Sequence, residues 1–327
     1  VVGLGLRIAP QTTGHAAAPL VHHQDLSDVV LLRTGRLTEV HIDAPGRLAR
    51  IGGGAIWADV IGAAAEHGLM VLHGSAADVG VVGYTLAGGL SFYGRRYGLA
   101  ANSVRVIELV TAAGELMRVD AESDPELFWA LRGGGGNVGV VTAMEVDLVE
   151  VGEVYGGGLF FAGEDARPVL AALLAAGHEA PDEVSLSAAL MTFPDVPAVP
   201  GPLRGRWCCH VRVCSTGEPQ RCEDVIAPLR AAATPLLDSV ATLPVTRIGT
   251  IHNDPVTPVA TNSRSLVLHR TDDDAVATIL RHAGPRTSFL IEMRLMGGAL
   301  ARPPAVPNAV GHRHAADGVH EPQIGRA

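Results

Sequence analysis

Clusters of glycine constrain the fold of this chain more than any other feature of its sequence. The 327 residues include 39 glycines, which concentrate at Gly52–Gly54, between Gly74 and Gly98, and at Gly133–Gly136. Because glycine has no Cβ, such segments let the backbone approach a large ligand closely and adopt positive φ angles. The clusters therefore predict that the chain binds a bulky nucleotide cofactor.

The composition excludes several other functions. All 25 basic residues are arginine, which rules out a P-loop lysine or a lysine Schiff base. A net charge of −9 disfavours nucleic acid as a partner. No run of about 18 apolar residues is present, so we expect no membrane span. No signal peptide is visible, which favours a cytoplasmic location.

The four cysteines are predicted to be buried thiols and not metal ligands. They lie within 15 positions of one another, at Cys208, Cys209, Cys214 and Cys222. Strong zinc motifs space their ligands as paired C-x-x-C units, and that spacing is absent here. We therefore expect no metal site.

The periodicity of apolar residues predicts two domains and an α+β fold. In residues 1–150 it predicts a helix over Trp57–His67, a hairpin around Ala113-Gly114, and a helix that begins after Asp124. Residues 151–300 alternate strands with helices and lack glycine fingerprints, which predicts an antiparallel sheet covered by helices on one face. The strands are predicted over Tyr155–Phe161, Glu183–Met191, Arg206–Val213 and Ser288–Met296, and the helices over Asp165–His178, Glu218–Ala231 and Asp273–His282. Residues 301–327, rich in proline and histidine, are predicted to form a disordered tail.

Three loops combine glycine with polar residues in a fixed order. The first is Pro10-Gln11-Thr12-Thr13-Gly14-His15, the second runs from Gly74 to Ala100, and the third follows Leu131 through Asn137-Val138-Gly139-Val140. Consecutive loop amides can hold phosphate oxygens. None of the loops is a G-x-G-x-x-G unit between a strand and a helix, which disfavours a nicotinamide-dependent dehydrogenase.

Taken together, these motifs resemble the FAD-linked oxidases of the vanillyl-alcohol-oxidase superfamily, and most closely the berberine-bridge-enzyme-like branch. The resemblance implies a PCMH-type FAD-binding domain followed by a substrate domain. It also implies that FAD is bound either covalently, through His15 and the flavin 8α-methyl group, or non-covalently. A second covalent link, from a cysteine to the flavin, is excluded because the corresponding position is Ala76. The residues implied to bind FAD are Gln11, Thr12, Thr13, Gly14, His15, Asp78, Val79, Gly80, Gly83, Gly88, Gly89, Asn137, Gly139 and Val140.

The resemblance further implies an oxidase that transfers hydride from a CH–OH or CH–NH donor, such as an alcohol, sugar or secondary metabolite, to flavin N5, with O2 as the second substrate. Family segments that precede Leu6, and a terminal tyrosine that acts as a base, have no counterpart here, since the last tyrosine is Tyr155. A truncated or inactive flavoprotein remnant with a binding role is therefore the alternative. Substitute bases would be Tyr155, His210 or Glu292, each of which also has a structural interpretation.

Overall fold

The computed structural model describes residues 2–17, 25–255, 261–287, 290–315 and 317–324. Contacts between residues divide the chain into two compact units. Unit 1 comprises Val1–Phe92, Gly98–Gly152 and Pro303–Gly311, and unit 2 comprises Tyr93–Tyr97, Glu153–Arg302 and His312–Ala327. Each unit therefore contains segments that are distant in the sequence.

Unit 1 is built on small sheets. Its strands are β1 (Arg7–Gln11), β2 (Val29–Arg33), β3 (Val40–Asp43), β4 (Leu48–Gly52), β5 (Leu69–Met70), β6 (Val104–Thr111), β7 (Leu116–Val119), β8 (Gly139–Asp147) and β9 (Val149–Glu150). A five-stranded antiparallel sheet has the order β3-β4-β8-β6-β7. Strands β1 and β2 pair in parallel, and β5 pairs with β9. The strand order brings β8, which follows the third glycine loop, to the centre of the main sheet.

The helices of unit 1 are α1 (Trp57–Ala65), α2 (Val81–Leu86) and α3 (Pro125–Leu131). The start of α3 is fixed by Asp124, whose carboxylate accepts a hydrogen bond from the Leu127 amide at 3.1 Å, and by proline at the first helical position. Fully buried side chains of α1, β4, β6 and β8 form the core between helix and sheet; they are Trp57, Val60, Ile51, Ile107, Leu109 and Met144. Burial of such a side chain contributes roughly 1.5–3 kcal/mol to stability.

Unit 2 contains an eight-stranded antiparallel sheet. Its strands are β10 (Glu153–Ala162), β11 (Val184–Thr192), β12 (Trp207–Ser215), β13 (Leu237–Asp238), β14 (Ala241–Pro244), β15 (Thr261–Leu268), β16 (Ile291–Leu295) and β17 (Asp317–Ile324). Their order is β13-β10-β12-β11-β16-β17-β15, and β14 also pairs with β10.

The helices α4 (Ala166–Glu179), α5 (Pro219–Ala232) and α6 (Asp273–His282) bury their apolar stripes against one face of this sheet. Leu173, Ile226 and Val276 of the three helices share a core with Val211 and Met293 of the strands. Short 3-10 turns occupy Val2–Leu4, Ala100–Asn102, Gly163–Asp165, Gly201–Leu203, Val245–Ile251 and Gly298–Leu300, and Gly94–Tyr97 forms one helical turn. The predicted α+β fold, with helices on one face of an antiparallel sheet, is confirmed.

The prediction of a disordered tail is wrong over most of residues 301–324. Pro303–Gly311 belongs to unit 1, where the Ala309 amide donates to the Arg132 carbonyl at 2.9 Å. Asp317–Ile324 forms β17, which pairs with β16 on one side and β15 on the other. The prolines in Pro303–Gly311 do not prevent this segment from packing in unit 1, because it packs without regular secondary structure.

The cysteines are buried and free, as the sequence predicts. In the part of the chain that the structure describes, no group of three or more metal-binding side chains could hold an ion. Among the same residues, no helix combines the length and the apolar character that crossing a bilayer needs.

Candidate cofactor loops and a buried polar face

The first loop of unit 1 is joined to the sheet through Thr12. The Thr12 hydroxyl donates to the Gly53 carbonyl at 3.1 Å and lies 2.9 Å from the Thr34 hydroxyl. Thr34 follows β2, and its amide donates to the Gln11 carbonyl at 3.0 Å. The parallel pair β1–β2 therefore ends in a hydroxyl-bearing loop held against the glycine-rich turn after β4.

His15 lies at the exposed end of this first loop. Its Nδ1 is 2.8 Å from the Thr13 hydroxyl, and its Nε2 is 3.7 Å from a carboxylate oxygen of Asp78 in the second loop. The side chains of His15 and Asp78 are 46% and 62% exposed. Both ring nitrogens therefore face polar neighbours at a surface that a ligand can reach.

The first and second loops meet at Gly80. A Cβ placed on Gly80 would lie 2.9 Å from Cβ of Thr12, so only glycine allows this approach. Helix α2 begins directly after this contact, and Gly83 in its first turn is exposed with no atom within 4 Å of an added Cβ. The predicted binding residues of the two loops thus lie side by side, with open space over Gly83.

The second and third loops meet at the end of α2. The Leu86 carbonyl accepts hydrogen bonds from the Gly133 and Gly135 amides at 2.9 and 3.0 Å. Asn137 is exposed, whereas Gly139 starts β8 and packs against Val110 of β6. The structure therefore brings the glycine run next to the second loop, and it shows no contact between Asn137, Gly139 or Val140 and the first loop.

The cluster Gly52–Gly54 serves the fold itself. An added Cβ would lie 2.4 Å from the Val141 carbonyl at Gly53 and 2.0 Å from the Thr34 carbonyl at Gly54. These glycines allow segments of protein backbone to pack closely against one another. A role for this cluster in approach to a ligand stays a prediction.

Unit 2 carries a polar face on the side of its sheet opposite to the α-helices. The strand register sets two rows across β12, β11 and β16: Ala189 pairs with both His210 and Glu292, and Ser187 pairs with both Arg212 and Arg294. We define the polar face as His210, Arg212, Ser187, Glu292 and Arg294. The alternate residues of these strands lie in the apolar core beneath the helices.

Glu292 is the centre of an ion-pair cluster on the polar face. Arg212 donates to its carboxylate, Arg294 Nε lies 3.0 Å from it, and His252 Nε2 lies 3.2 Å from it. Burial alone would raise the pKa of Glu292, but Arg294, His252 and Arg212 together hold it well below its usual range. The carboxylate is therefore ionised at neutral pH.

His210 is buried and stacks on Phe160 of β10, with ring centroids 3.9 Å apart. Its Nε2 atom has no hydrogen-bond partner among the described residues. Burial, followed by the nearby charge of Arg212, lowers the pKa of His210 well below its usual range, so the ring is neutral at neutral pH. Tyr155, the third predicted candidate base, donates its hydroxyl to Glu223, which raises its pKa to about 12.

Comparison with known proteins connects the loops of unit 1 to a cofactor. Residues 4–120 match the family described as the FAD-binding domain. The match includes the first and second loops of unit 1. (R)-6-hydroxynicotine oxidase of Paenarthrobacter nicotinovorans is 41% identical over 148 residues, which are 45% of this chain and 31% of that enzyme. The match thus spans about a third of the relative's length.

Solved structures extend the likeness to both units. The 6-hydroxy-D-nicotine oxidase of Arthrobacter nicotinovorans aligns over 98% of this chain and 70% of its own, with a TM-score of 0.79 and 26% identity. Berberine bridge enzyme from Eschscholzia californica aligns over 98% and 66%, with a TM-score of 0.82 and 18% identity, which shows the fold alone. The resemblance to FAD-linked proteins of the berberine-bridge-enzyme type is confirmed.

The first and second loops of unit 1 carry backbone amides that suit the phosphate groups of FAD. The amides of Thr13, Gly14 and His15 have no protein acceptor among the described residues. In the second loop, the amides of Ala76, Ala77 and Asp78 likewise have no protein acceptor among the described residues. Donors of this kind, in loops that contain glycine, suit phosphate oxygens.

The sequence analysis missed a cluster of packed aromatic side chains beside the second loop. Trp57 and Tyr84 pack edge to face with centroids 5.3 Å apart, and His73 lies 6.3 Å from Trp57 and 5.9 Å from Phe92. His73 Nδ1 is 2.7 Å from the Gly74 carbonyl, and burial lowers its pKa to about 4. The only available sequence signal was the presence of these scarce aromatic residues on both sides of one glycine segment.

Proposed function

We propose that the chain acts as an FAD-dependent oxidoreductase that oxidises a small-molecule alcohol, sugar or secondary metabolite with O2 as the electron acceptor. The observation that carries the proposal is the meeting of the first and second loops at Thr12 and Gly80 within the FAD-binding domain. An amine substrate belongs to the same proposal, because the 41%-identical relative is named for oxidation of 6-hydroxynicotine. That relative does not favour the alternative of an inactive remnant.

In this proposal FAD is held by residues 11–15, 78–80, 83, 88–89, 137, 139 and 140, and the glycine run 133–136 forms the start of the third of these loops. FAD held there would supply a hydride acceptor for the substrate and a route for the two electrons to O2, with hydrogen peroxide as the product. His15 is the candidate for a covalent bond to the flavin. The proposal is supported by the exposure of His15 and by the position of Asp78 beside its Nε2 atom.

We assign proton handling to the polar face of unit 2. His210 is the preferred base, because its buried Nε2 lacks a partner among the described residues and its ring is neutral at neutral pH. Glu292 is a positioning residue, since its ionised carboxylate is already engaged by Arg212, Arg294 and His252. Tyr155 is the weakest candidate, because its hydroxyl is bonded to Glu223.

The test is to express the chain, record its visible spectrum and then precipitate it with acid. Absorbance maxima near about 370 and 450 nm are expected from bound flavin, and colour that stays with the pellet indicates a covalent link. Peroxide release is then measured with a panel of primary alcohols, aldoses and cyclic amines. A folded, colourless protein, or a flavoprotein whose colour is not bleached anaerobically by any class of donor in the panel, would contradict the proposal.

A further inference from the structure

Arg132 is a buried arginine whose partners are all neutral. It follows the last residue of α3 and is 1% exposed. Its Nε donates to the Phe128 carbonyl at 3.3 Å, and its Nη2 donates to the Pro307 and Val306 carbonyls at 2.5 and 3.4 Å. The guanidinium carbon lies 4.0 Å from the centroid of the Phe128 ring.

The charge of Arg132 is not neutralised by a carboxylate. In the described part of the chain no acidic group lies within ion-pair distance of it, and Nη1 is buried without a hydrogen-bond partner. Burial lowers the pKa of Arg132 to about 10, so the group remains charged at neutral pH. A buried charge of this kind is costly to the folded state, which argues that its forked geometry has a specific role.

The backbone around Arg132 joins three segments of unit 1. The Arg132 carbonyl accepts from the Ala309 amide at 2.9 Å, so Pro303–Gly311 is held by both the side chain and the backbone of one residue. The next residue, Gly133, has a φ of 105°, and an added Cβ would lie 2.2 Å from Cγ2 of Val310. The Gly133 and Gly135 amides donate to the Leu86 carbonyl, at the end of α2.

We propose that Arg132 is a positioning residue for the FAD loops: it clamps Pro303–Gly311 against the glycine run 133–136 and thereby fixes that run against the second loop. The proposal rests on the proposed function, because it concerns the loops to which we assign FAD. Arg132 does not touch the cofactor. By fixing Val310 on one side of the loop, Arg132 holds Gly133 in its left-handed conformation. On the other side, the Leu86 carbonyl accepts hydrogen bonds from the loop amides.

The geometry distinguishes a guanidinium from a simple positive charge. Arginine presents several donors in a rigid planar fork, which here reaches the Phe128 carbonyl and the Pro307 carbonyl at the same time. Lysine is a point charge on a flexible chain and cannot join both carbonyls in the same way. Arg132→Lys should therefore retain the charge and lose the clamp.

The experiment compares Arg132→Lys with Arg118→Lys in the full chain. Arg118 is an exposed partner of Glu145 on the main sheet of the same unit, so it is the matched control. Two quantities are measured: the ratio of flavin to protein after purification, and hydrogen–deuterium exchange in peptides that cover residues 86–89, 133–137 and 303–311. In Arg132→Lys alone we expect faster exchange in these three peptides and a lower ratio of flavin to protein.

Val310→Ala shortens the side chain that packs against Gly133, on the opposite side of the clamp from Arg132. It provides the test of the proposal if Arg132→Lys does not fold. It should speed exchange in residues 133–137 while Arg132 is retained. Unchanged exchange in a folded Arg132→Lys, or in Val310→Ala where Arg132→Lys does not fold, would overturn the proposal. A wild-type protein without flavin would count against the proposed function, whereas the exchange comparison would still decide whether Arg132 fixes the loop.

Discussion

His15 Nε2 lies 3.7 Å from a carboxylate oxygen of Asp78, so the ends of the first and second loops face each other through two side chains. The other ring nitrogen is engaged by Thr13, at 2.8 Å from its hydroxyl. The imidazole is thus oriented by one residue from each loop. This orientation makes His15 the residue whose replacement tests how FAD is attached.

Replacement of His15 by alanine should separate binding of the flavin from its covalent attachment. We expect His15→Ala to keep the yellow colour when native and to release FAD into the supernatant on acid precipitation, whereas the wild type keeps it in the pellet. His41→Ala, which changes an exposed histidine in β3, is the control and should behave as the wild type. Flavin that stays with the His15→Ala pellet would exclude a histidyl bond at this position.

Replacement of Glu292 by glutamine should destabilise the protein strongly. The variant leaves the buried guanidinium of Arg212 and the partly exposed one of Arg294 without their shared carboxylate, and the loss of one partner from a buried pair costs about 3–5 kcal/mol. Glu145→Gln, in an exposed pair with Arg118, should cost less than about 1 kcal/mol. Equal free energies of unfolding in urea for the two variants would show that the Glu292 cluster is not a buried ionic network in solution.

His73 should make the folded state sensitive to mild acid. Its pKa is about 4 in the folded protein, compared with 6.5 for the free side chain, because burial disfavours the charged ring. As the pH falls below about 6.5 the unfolded chain binds the proton first, so stability declines down to about pH 4, by as much as about 3 kcal/mol. His73→Gln should flatten this part of the curve of unfolding free energy against pH; an unchanged slope would assign the acid sensitivity to other groups.

The four cysteines should be unreactive until the protein unfolds. Burial raises the pKa of Cys208 to about 11 and that of Cys209 and Cys222 to about 12, and it raises the pKa of Cys214 further. Since the thiolate is the nucleophile, we expect no titration with a thiol reagent at pH 8 in buffer and full titration in denaturant. Rapid labelling of the native protein would indicate that the core around β12 and α5 opens readily.

Elements with local signals were predictable from the sequence. Asp124 and Pro125 define the start of α3 without reference to the rest of the chain, and Ala113-Gly114 specifies the turn between β6 and β7. The helix periodicity of Asp273–His282 gives α6 with the observed bounds. In each case the interaction that fixes the element spans only a few residues.

The polar face was not predictable, because it depends on strand register. Arg212 and Arg294 are brought to the same row only because each pairs with Ser187. Nothing near Arg212 in the sequence indicates that its partner is Glu292, 80 positions away. The common face of Glu292 and Arg294 is different, because it follows from the alternation of side chains along a single strand.

The cofactor loops lie between these cases. Their identity follows from motif resemblance, whereas the contact of Thr12 with Gly80 and of Leu86 with Gly133 requires the folded chain. The segment Pro303–Gly311 was misread for the same reason. Its hydrogen-bond partners, the side chains of Arg132 and Asn102, lie more than 170 residues earlier.

The discontinuity of the two units limits how this protein can be taken apart. A gene fragment that ends near residue 150 would encode most of unit 1 but would lack Pro303–Gly311, and with it the carbonyl partners of Arg132. Such a fragment would expose the apolar side of the glycine run, to which Val310 is otherwise packed. Recombination with a relative should therefore exchange residues 303–311 together with the other segments of unit 1, even though they are distant in the sequence.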